Sequence, residues 1–274
     1  MSSPPIITAS PFDVRPGEVA LNLKEALAAV ERAAGVGAGL LALPEKWPTS
    51  FLSSYDGAVL KACEDALAEV HRSADRHNLT VVGSAPSGFE SGKPFNQVHF
   101  LGAGGDRRPY NKRALFSVTG EGLQVARGTG IPKTLETPVG KVCAVICYDL
   151  RFPEITRHAL YQGADLLVVP AQWAHPRTAI FELFSLARAA ENQCWLLNCN
   201  RAGRASLQGG TRKAARVMDF PGTAMLVDPL GELKQRTDDG DFLVGELDLK
   251  WMEGVRKMVP CARDLKQAGL WPDK

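Results

Sequence analysis

The chain has 274 residues, of which 45% are hydrophobic, and its 32 Lys and Arg against 30 Asp and Glu give a formal net charge of +2. Such a chain can bury a full core, and we expect one domain over residues 1–274. The near-neutral charge gives no indication of a nucleic acid or an anionic membrane as partner, and no uncharged apolar run reaches the about 20 residues of a membrane helix. Because the opening MSSPPIITAS lacks a signal-peptide pattern, we expect a cytoplasmic protein with a small-molecule partner.

Helix and strand patterns alternate along the chain. Apolar residues recur at three- and four-residue steps from Val19 to Ala34, and the Gly-rich GVGAG ends this helix before a buried strand, Leu40–Leu43. The predicted segments that follow are, in chain order, a helix (Ala58–His77), two hairpin strands (LTVVGSA and FNQVHFLG), a strand (VGKVCAVIC), a helix (PEITRHALYQG), a strand (ADLLVVP), a long helix (PRTAIFELFSLARAAEN), a strand (QCWLLNCN), a loop (Gly203–Arg216) and two closing antiparallel strands (TAMLVDPLGELKQR and DFLVGELDL). Apolar strands between helices indicate sheets covered by helices, the α/β layered class.

The cysteines and histidines give no indication of a metal site. The six cysteines lack the CxxC pairs of zinc sites and the density of a disulfide scaffold, so we expect most of them to be reduced core residues. The five histidines include no pair at the spacing that HExxH sites use. We therefore expect no bound metal.

The segment VCAVICYDLRFPE carries a candidate nucleophile. A buried strand ends at Cys147 and a Pro-initiated helix begins a few residues later, so the thiol is expected at the carboxyl edge of the sheet. Ligand sites of α/β sheets cluster at this edge, and backbone N–H groups near a helix start can stabilise a developing negative oxygen. The alternative is a buried structural cysteine, which is what we expect of Cys143.

Two further residues have the chemistry that such a thiol needs. Glu45 follows the buried strand LLALP, which also places its carboxylate at a sheet edge, and Lys112 lies in the polar segment RRPYNKRALF. Taken singly, each would be interpreted as a surface residue. A thiol with an ordinary pKa of about 8.5 is mostly protonated at neutral pH, so a cysteine nucleophile needs a base and benefits from a nearby cation. Glu45 and Lys112 offer these two roles.

Three motifs in chain order, LALPEKW, YNKRALF and ICYDLRFPE, resemble the Glu-Lys-Cys signature of the nitrilase or carbon-nitrogen hydrolase superfamily. The resemblance extends over nearly the whole chain through GADLLVVPAQW, ARAAENQCWLLNCNR and AMLVDPLGEL. Within the superfamily, KRALFSVTGE, CYDLRFPE and AAENQCWLLNCNR are most similar to the omega-amidases, which hydrolyse the terminal amide of 2-oxoglutaramate and related 2-oxo acid amides. The resemblance implies a four-layer α-β-β-α sandwich and a reaction that needs no metal or organic cofactor.

The resemblance also implies a role for each site residue. Glu45 would accept the thiol proton of Cys147, and the thiolate would attack the amide carbon. Lys112 and the backbone N–H of Tyr148 would hold the tetrahedral oxygen before ammonia leaves and water hydrolyses the thioester. The second glutamate of the family is best matched by Glu121, which would orient the lysine.

Residues near the nucleophile are candidates for substrate binding. Trp173, after the strand ADLLVVP, is expected at the pocket mouth, and the planar guanidinium of Arg177 could pair with a substrate carboxylate. The alternatives are a tryptophan that only packs and a solvated arginine at a helix start. Asp149 and Arg151 are expected to brace the turn by ion pairing.

Rival interpretations remain open at this point. Within the superfamily, the chain could be a deaminated glutathione amidase, an N-carbamoyl amino acid hydrolase or a nitrilase. Outside it, the chain could be a non-catalytic thiol protein that binds ligands. Superfamily members pair through helices of the sandwich, which implies a homodimer or a higher homo-oligomer with Pro176–Asn192 as the contact face. The sequence does not indicate a role for the C-terminal arm, about residues 252–274.

Overall fold

The computed structural model describes residues 3–207 and 216–272. Over these residues the chain forms two six-stranded sheets, a two-stranded ribbon and helices that cover the sheets. Within this described part, no helix is both long and apolar enough to span a membrane.

The first sheet combines strands from both ends of the chain. Its strands are β1 (Ile6–Ala9), β2 (Leu40–Ala42), β3 (Thr80–Glu90), β4 (Lys93–Gly102), β5 (Arg107–Asn111) and β14 (Leu243–Glu246). They follow the order β14-β1-β2-β3-β4-β5, in which β1, β2 and β3 are parallel and the other pairings are antiparallel. Two helices, α1 (Val19–Gly35) and α2 (Gly57–Arg76), pack on one face of this sheet.

The second sheet has the same size and a similar mixture of directions. Its strands are β6 (Leu135–Thr137), β7 (Gly140–Ala144), β8 (Leu166–Ala171), β9 (Trp195–Asn200), β12 (Ala224–Val227) and β13 (Leu233–Thr237). They follow the order β13-β12-β9-β8-β7-β6, with β7, β8 and β9 parallel. The ribbon consists of β10 (Ala202–Leu207) and β11 (Arg216–Pro221). The remaining helices are α3 (Pro153–Thr156), α4 (His158–Tyr161), α5 (Thr178–Asn192), α6 (Leu249–Met258) and α7 (Cys261–Gln267), with short 3-10 helices at Ser117–Thr119, Glu121–Leu123 and Cys147–Arg151.

The side chains of β2 explain why its sequence is apolar at every position. Leu40 and Ala42 face the second sheet, whereas Leu41 and the following Leu43 pack against α1 and α2. A strand that is covered on both faces has a continuous run of apolar residues in its sequence instead of an alternating pattern. Because α5 contributes Phe181 and Ala189 to the core from the other side, the layers follow the order α-β-β-α. The predicted four-layer sandwich is confirmed.

Two predicted elements differ from the structure. The loop predicted over Gly203–Arg216 is wrong at its ends, because Ala202–Leu207 pairs with Arg216–Pro221; residues 208–215 lie outside the described residues. Gly203, Arg204 and Ser206 are exposed, so this strand lacks the apolar alternation that would have revealed it. The helix predicted over PEITRHALYQG is divided into the short helices α3 and α4.

The C-terminal arm does not begin at the predicted position. Residue 252 lies inside α6, which starts at Leu249, and the side chains of Met252 and Val255 are buried against the body of the protein. The Asp248 side chain accepts a hydrogen bond from the Trp251 N–H (2.8 Å) and so caps the start of this helix. That residues 1–274 form one domain stays a prediction.

Candidate active site

The predicted triad residues lie just beyond three strand ends between the two sheets. Glu45 follows β2 by three residues, Lys112 directly follows β5, and Cys147 follows β7 by three residues. β5 runs in the same direction as β2, because β4 is antiparallel to both β3 and β5. The carboxyl ends of these strands therefore meet at one edge of the sandwich, where α/β folds place ligand sites. All three side chains are buried.

Lys112 joins the two glutamates in a buried ion cluster. Its Nζ lies 2.7 Å from Glu45 Oε1 and 2.9 Å from Glu121 Oε2. Asn96, on β4, donates its amide to the same two carboxylates, at 2.8 Å to Glu45 and 3.1 Å to Glu121. Burial acts to lower the pKa of Lys112, but the charges of Glu121 and Glu45 outweigh it and raise this pKa well above its ordinary value. Lys112 is therefore a fixed ammonium.

A second lysine balances the charge of Glu121. Lys46 is 1% exposed, and its Nζ lies 3.7 Å from Glu121 Oε1 and 4.4 Å from the centroid of the Phe51 ring. Burial would raise the pKa of Glu121, but the charges of Lys112 and Lys46 lower it to about 2. Two carboxylates thus face two ammonium groups, which makes the burial of four charges tolerable.

Burial and charge disfavour ionisation of the Cys147 thiol. The residue opens the 3-10 helix with a left-handed backbone (φ 47°) and is 7% exposed. Burial and the negative charge of Glu45 raise the pKa of this thiol well above its ordinary value, against the opposing effects of Lys112 and the Gln172 backbone N–H. The carboxylate next to this thiol is that of Glu45.

Asp149 braces the nucleophile turn, but not by the predicted ion pair. Its carboxylate accepts the backbone N–H of Ala114 (2.8 Å) and of Ile146 (3.1 Å), which ties the segment after Lys112 to the turn of Cys147. Asp149 and Arg151 form no ion pair with each other, so that prediction is wrong. The Arg151 guanidinium instead lies 5.0 Å from the Phe184 ring centroid.

One cavity opens onto the thiol. It encloses about 510 Å³ of space, part of which is open to solvent. Its walls combine aromatic and aliphatic side chains with three cationic ones, and the lining residues are Phe51, Lys112, Phe116, Thr119, Cys147, Tyr148, Arg151, Gln172, Trp173, Ala174, Arg177, Met218 and Phe220. Met218 and Phe220 come from the ribbon that the sequence did not predict. The cavity suits a small molecule with an apolar body and a negative end.

The three predicted substrate-binding residues, Tyr148, Trp173 and Arg177, all line this cavity. Trp173 is 6% exposed, and its indole N–H donates to the backbone oxygen of Arg177 (2.8 Å). Its side chain therefore forms a fixed wall of the cavity. The Arg177 guanidinium carbon lies 5.6 Å from the Phe116 ring centroid. Within residues 3–207 and 216–272, neither Arg177 nor Arg151 is paired with a carboxylate, which leaves both cations available to a ligand.

The sequence interpretation missed three residues of the site. Gln172 directly follows β8, so the strand-end argument that identified Cys147 would have found it. Lys46 is adjacent to Glu45, but its pattern is that of a surface lysine. Asn96 lies inside β4, where no local pattern distinguishes it from other inward-facing residues. Over the described residues, no group of three or more His, Cys, Asp or Glu side chains is placed to hold a metal ion.

A carboxylate, an ammonium group and a thiol thus meet at the facing strand ends of an α-β-β-α sandwich. The family model for carbon-nitrogen hydrolases matches residues 6–257, so the chain belongs to the carbon-nitrogen hydrolase family. The predicted superfamily and the predicted carbon-nitrogen hydrolase are thereby confirmed.

Relatives of this chain agree with that assignment. The chain is 27% identical over 264 residues to a 2-oxoglutaramate amidase from Bacillus subtilis, covering 95% of this chain and 97% of that protein. It is 29% identical over 256 residues to a deaminated glutathione amidase from Synechocystis sp. PCC 6803, covering 87% of this chain and 90% of that protein. A solved carbon-nitrogen hydrolase from Helicobacter pylori has the same fold, with a TM-score of 0.83 at 21% identity over 95% of this chain and 94% of that chain.

Proposed function

We propose that this enzyme is a cysteine-dependent amidase of the omega-amidase type. It hydrolyses the terminal carboxamide of a small 2-oxo acid amide, such as 2-oxoglutaramate, to an acid and ammonia. The observation that carries this proposal is the Lys112–Glu45 pair at 2.7 Å beside the buried thiol of Cys147. A base, a fixed cation and a nucleophile around one cavity are what acyl transfer from an amide requires.

The proposed first half-reaction forms a thioester. Glu45 accepts the thiol proton of Cys147 as the sulfur bonds to the amide carbon, and the carbonyl π electrons move onto oxygen. The ammonium of Lys112 and the backbone N–H of Tyr148 stabilise this oxyanion; one such donor contributes roughly 10²–10³ in rate. Glu45 then gives its proton to the nitrogen, the carbon–nitrogen bond breaks, and ammonia leaves.

The proposed second half-reaction returns the enzyme to its resting state. Glu45 removes a proton from water, whose oxygen attacks the thioester carbon of Cys147. The carbon–sulfur bond breaks, and the proton on Glu45 returns to the sulfur as the carboxylic acid leaves. Glu121 takes no proton in this scheme; with a pKa of about 2 it stays ionised and holds Lys112 in place.

The substrate class follows from the cationic side of the cavity. A monoamide of a small dicarboxylic acid has an apolar body and one carboxylate opposite the amide. The unpaired guanidinium groups of Arg177 and Arg151 can each bind such a carboxylate by charge-assisted hydrogen bonds, while Trp173 and Phe116 cover the carbon chain. The Bacillus subtilis relative, a 2-oxoglutaramate amidase, supports this choice.

A deaminated glutathione amidase is the second candidate. The Synechocystis relative of that name supports it. Two unpaired arginines in the cavity also suit a substrate with two carboxylates. Comparing kcat/KM for 2-oxoglutaramate, deaminated glutathione, an N-carbamoyl amino acid and a simple nitrile, by ammonia and acid release, distinguishes these functions. We expect 2-oxoglutaramate to exceed the others by at least about tenfold, equivalent to about 1.4 kcal/mol of transition-state binding.

The substrate panel needs a blank that removes only the nucleophile. Cys147→Ala serves this purpose, and Cys261→Ala, outside the cavity, is the matched control. Activity that survives Cys147→Ala would contradict the proposed mechanism, and a panel with no turnover in the wild type would support the non-catalytic binding protein.

Arg177→Gln is expected to raise KM for a carboxylate-bearing amide by about 10–100-fold, because a charged hydrogen bond contributes about 1.5–3 kcal/mol. A neutral aliphatic amide of the same length should keep its KM, since it makes no such contact. Steady-state kinetics on both amides measure the difference, with Arg151→Gln as the matched variant at the second arginine that lines the cavity. Equal losses on both amides would show that Arg177 shapes the cavity instead of binding the carboxylate.

We also propose that two copies of the chain associate through α5. Ile180 and Leu183 are three residues apart on this helix and are 38% and 61% exposed, so they form one apolar strip. Leu183→Glu is expected to convert a dimer into a monomer, as measured by light scattering after size exclusion. Leu21→Glu, at a 41% exposed leucine on α1 in the opposite helix layer, is the control. An unchanged mass for Leu183→Glu would refute pairing through this face.

A further inference from the structure

Gln172 holds the proposed base from the opposite sheet. Its side-chain amide donates to the backbone oxygen of Glu45 (2.6 Å), and its backbone N–H donates to Glu45 Oε2 (3.2 Å). The two residues are 127 positions apart, so these bonds connect the end of β8 to the segment after β2 across the sandwich. One residue therefore fixes both the main chain and the carboxylate of Glu45.

Arg201 fixes the orientation of that amide. It directly follows β9, is completely buried, and donates to Gln172 Oε1 (3.2 Å) and Ser50 Oγ (3.0 Å). Ser50 in turn donates to the same Oε1 (3.0 Å). Because a guanidinium has only donors, a flipped amide would turn its NH₂ group towards a cation. The Gln172 NH₂ group is thereby kept on the side of Glu45.

The segment that carries Glu45 depends on this support. Lys46 and Ser50 both have left-handed backbones, with φ of 43° and 57°. Non-glycine residues persist in this conformation only where their surroundings hold them. The charge of Arg201 is matched by Asp13, whose Oδ1 lies 2.7 Å from the guanidinium.

We propose that Arg201 is a positioning residue for the base Glu45 and acts through Gln172. The inference rests on the proposed function, in which Glu45 moves the protons. Arg201 is absent from the cavity lining; its guanidinium lies behind Phe220, 4.5 Å from that ring centroid. It therefore does not touch substrate, and its loss changes the placement of the base rather than binding.

The activity of Arg201→Gln and Arg201→Lys tests this role. For Arg201→Gln we expect kcat to fall by about 10–100-fold, because small misplacements of a reacting group have effects of this size. KM should stay within about threefold, since the residue does not touch substrate. Arg201→Lys, which keeps the charge, should recover part of the lost kcat.

The reactivity of Cys147 gives a second readout that does not depend on amide turnover. The Glu45 charge raises the pKa of this thiol, so a displaced Glu45 should make alkylation by iodoacetamide at neutral pH faster in Arg201→Gln. The combined Arg201→Gln, Gln172→Ala variant should have a kcat no lower than that of Gln172→Ala alone, because Arg201 acts only through Gln172.

Arg256→Gln is the matched control. This arginine also donates to backbone oxygens, of Gln193 (2.8 Å) and Ala164, but lies outside the cavity. Arg256→Gln should lower the melting temperature without changing kcat or the alkylation rate of Cys147. If Arg201→Gln behaves like this control, Arg201 is only structural and the inference is overturned. If wild-type enzyme hydrolyses no amide but alkylation still responds to Arg201→Gln, the proposed function fails and the positioning of Glu45 stands.

Discussion

Replacing Glu45 with Gln is expected to lower kcat for amide hydrolysis by roughly 10²–10⁴-fold, the usual contribution of general acid–base catalysis, while Cys147 stays reactive towards an alkylating reagent. Gln keeps the shape of the side chain and an oxygen that can face Lys112 and Asn96, but it can neither accept the thiol proton nor return it to the leaving nitrogen. Amide hydrolysis needs both transfers. Alkylation needs only the thiolate.

The alkylation experiment separates these two effects of Glu45. In the wild type, the rate of Cys147 alkylation should rise steadily with pH through the neutral range, because burial and the Glu45 charge hold the thiol pKa well above its ordinary value. In Glu45→Gln the profile should move to lower pH, since the variant lacks the negative charge that raises this pKa. Mass spectrometry of the Cys147 peptide after timed exposure to iodoacetamide measures both profiles.

The matched control is Glu69→Gln, at an exposed position on α2. It should change neither turnover nor alkylation. If Glu45→Gln keeps amide turnover within about threefold of wild type, Glu45 is not the base.

Replacing Lys112 with Met is expected to affect both activity and stability. Turnover should fall by at least roughly 10²–10³-fold because the oxyanion loses its ammonium partner. The free energy of unfolding should fall by about 3–5 kcal/mol, the usual cost of breaking a buried ion pair, because Glu45 and Glu121 then face each other without the shared cation. Ammonia release and urea denaturation at neutral pH measure the two losses.

The pH dependence of stability follows from the same cluster. The pKa of Glu121 in the folded protein is about 2, below its ordinary 4.5, so this carboxylate stabilises the fold fully above pH 4.5. That contribution is lost as the pH falls towards 2. Lys112→Met should therefore be most destabilised relative to wild type at neutral pH, and the difference should narrow in acid.

Two further variants test whether the stability loss of Lys112→Met arises from the buried charge cluster. Adding Glu121→Gln to Lys112→Met removes one of the two opposed charges, so it should restore much of the stability but none of the turnover. Lys61→Met breaks an exposed i,i+4 pair with Asp65, and its effect should stay below about 1 kcal/mol. A Lys112→Met variant no less stable than Lys61→Met would contradict the buried charge cluster.

In the proposed mechanism, the two carboxylates of the buried charge cluster have different roles. Glu121 is bound by both Lys112 and Lys46, so it stays ionised and serves as a fixed counter-ion. Glu45 is held by hydrogen bonds from Lys112, Asn96 and Gln172. Such an arrangement lets one carboxylate exchange protons while the other keeps the ammonium charged and in place, which is the electrostatic preorganisation that acyl transfer needs.

The sequence by itself determined the layers of the fold and the location of two site residues. Apolar runs between amphipathic helices indicate sheets covered by helices, because a strand buried on both faces cannot alternate, whereas the four-layer order of the sandwich came from resemblance. Glu45 and Cys147 were located by the same local rule, since each follows the carboxyl end of a buried strand. Lys112 was a candidate only for the chemistry of its ammonium group, and Glu121 came from resemblance, because nothing in their local pattern distinguishes them from surface charges.

Only the tertiary structure decided how these groups meet. The placement of Asn96 and Lys46 in the ion cluster, and of Gln172 and Arg201 behind Glu45, depends on contacts between segments up to 151 residues apart. Met218 and Phe220 line the cavity from β11, and the ribbon was missed because Gly203, Arg204 and Ser206 interrupt the apolar alternation of the partner strand β10. Sequence periodicity encodes which face of an element is buried, whereas pKa values and hydrogen-bond partners depend on distances that exist only once both sheets have packed.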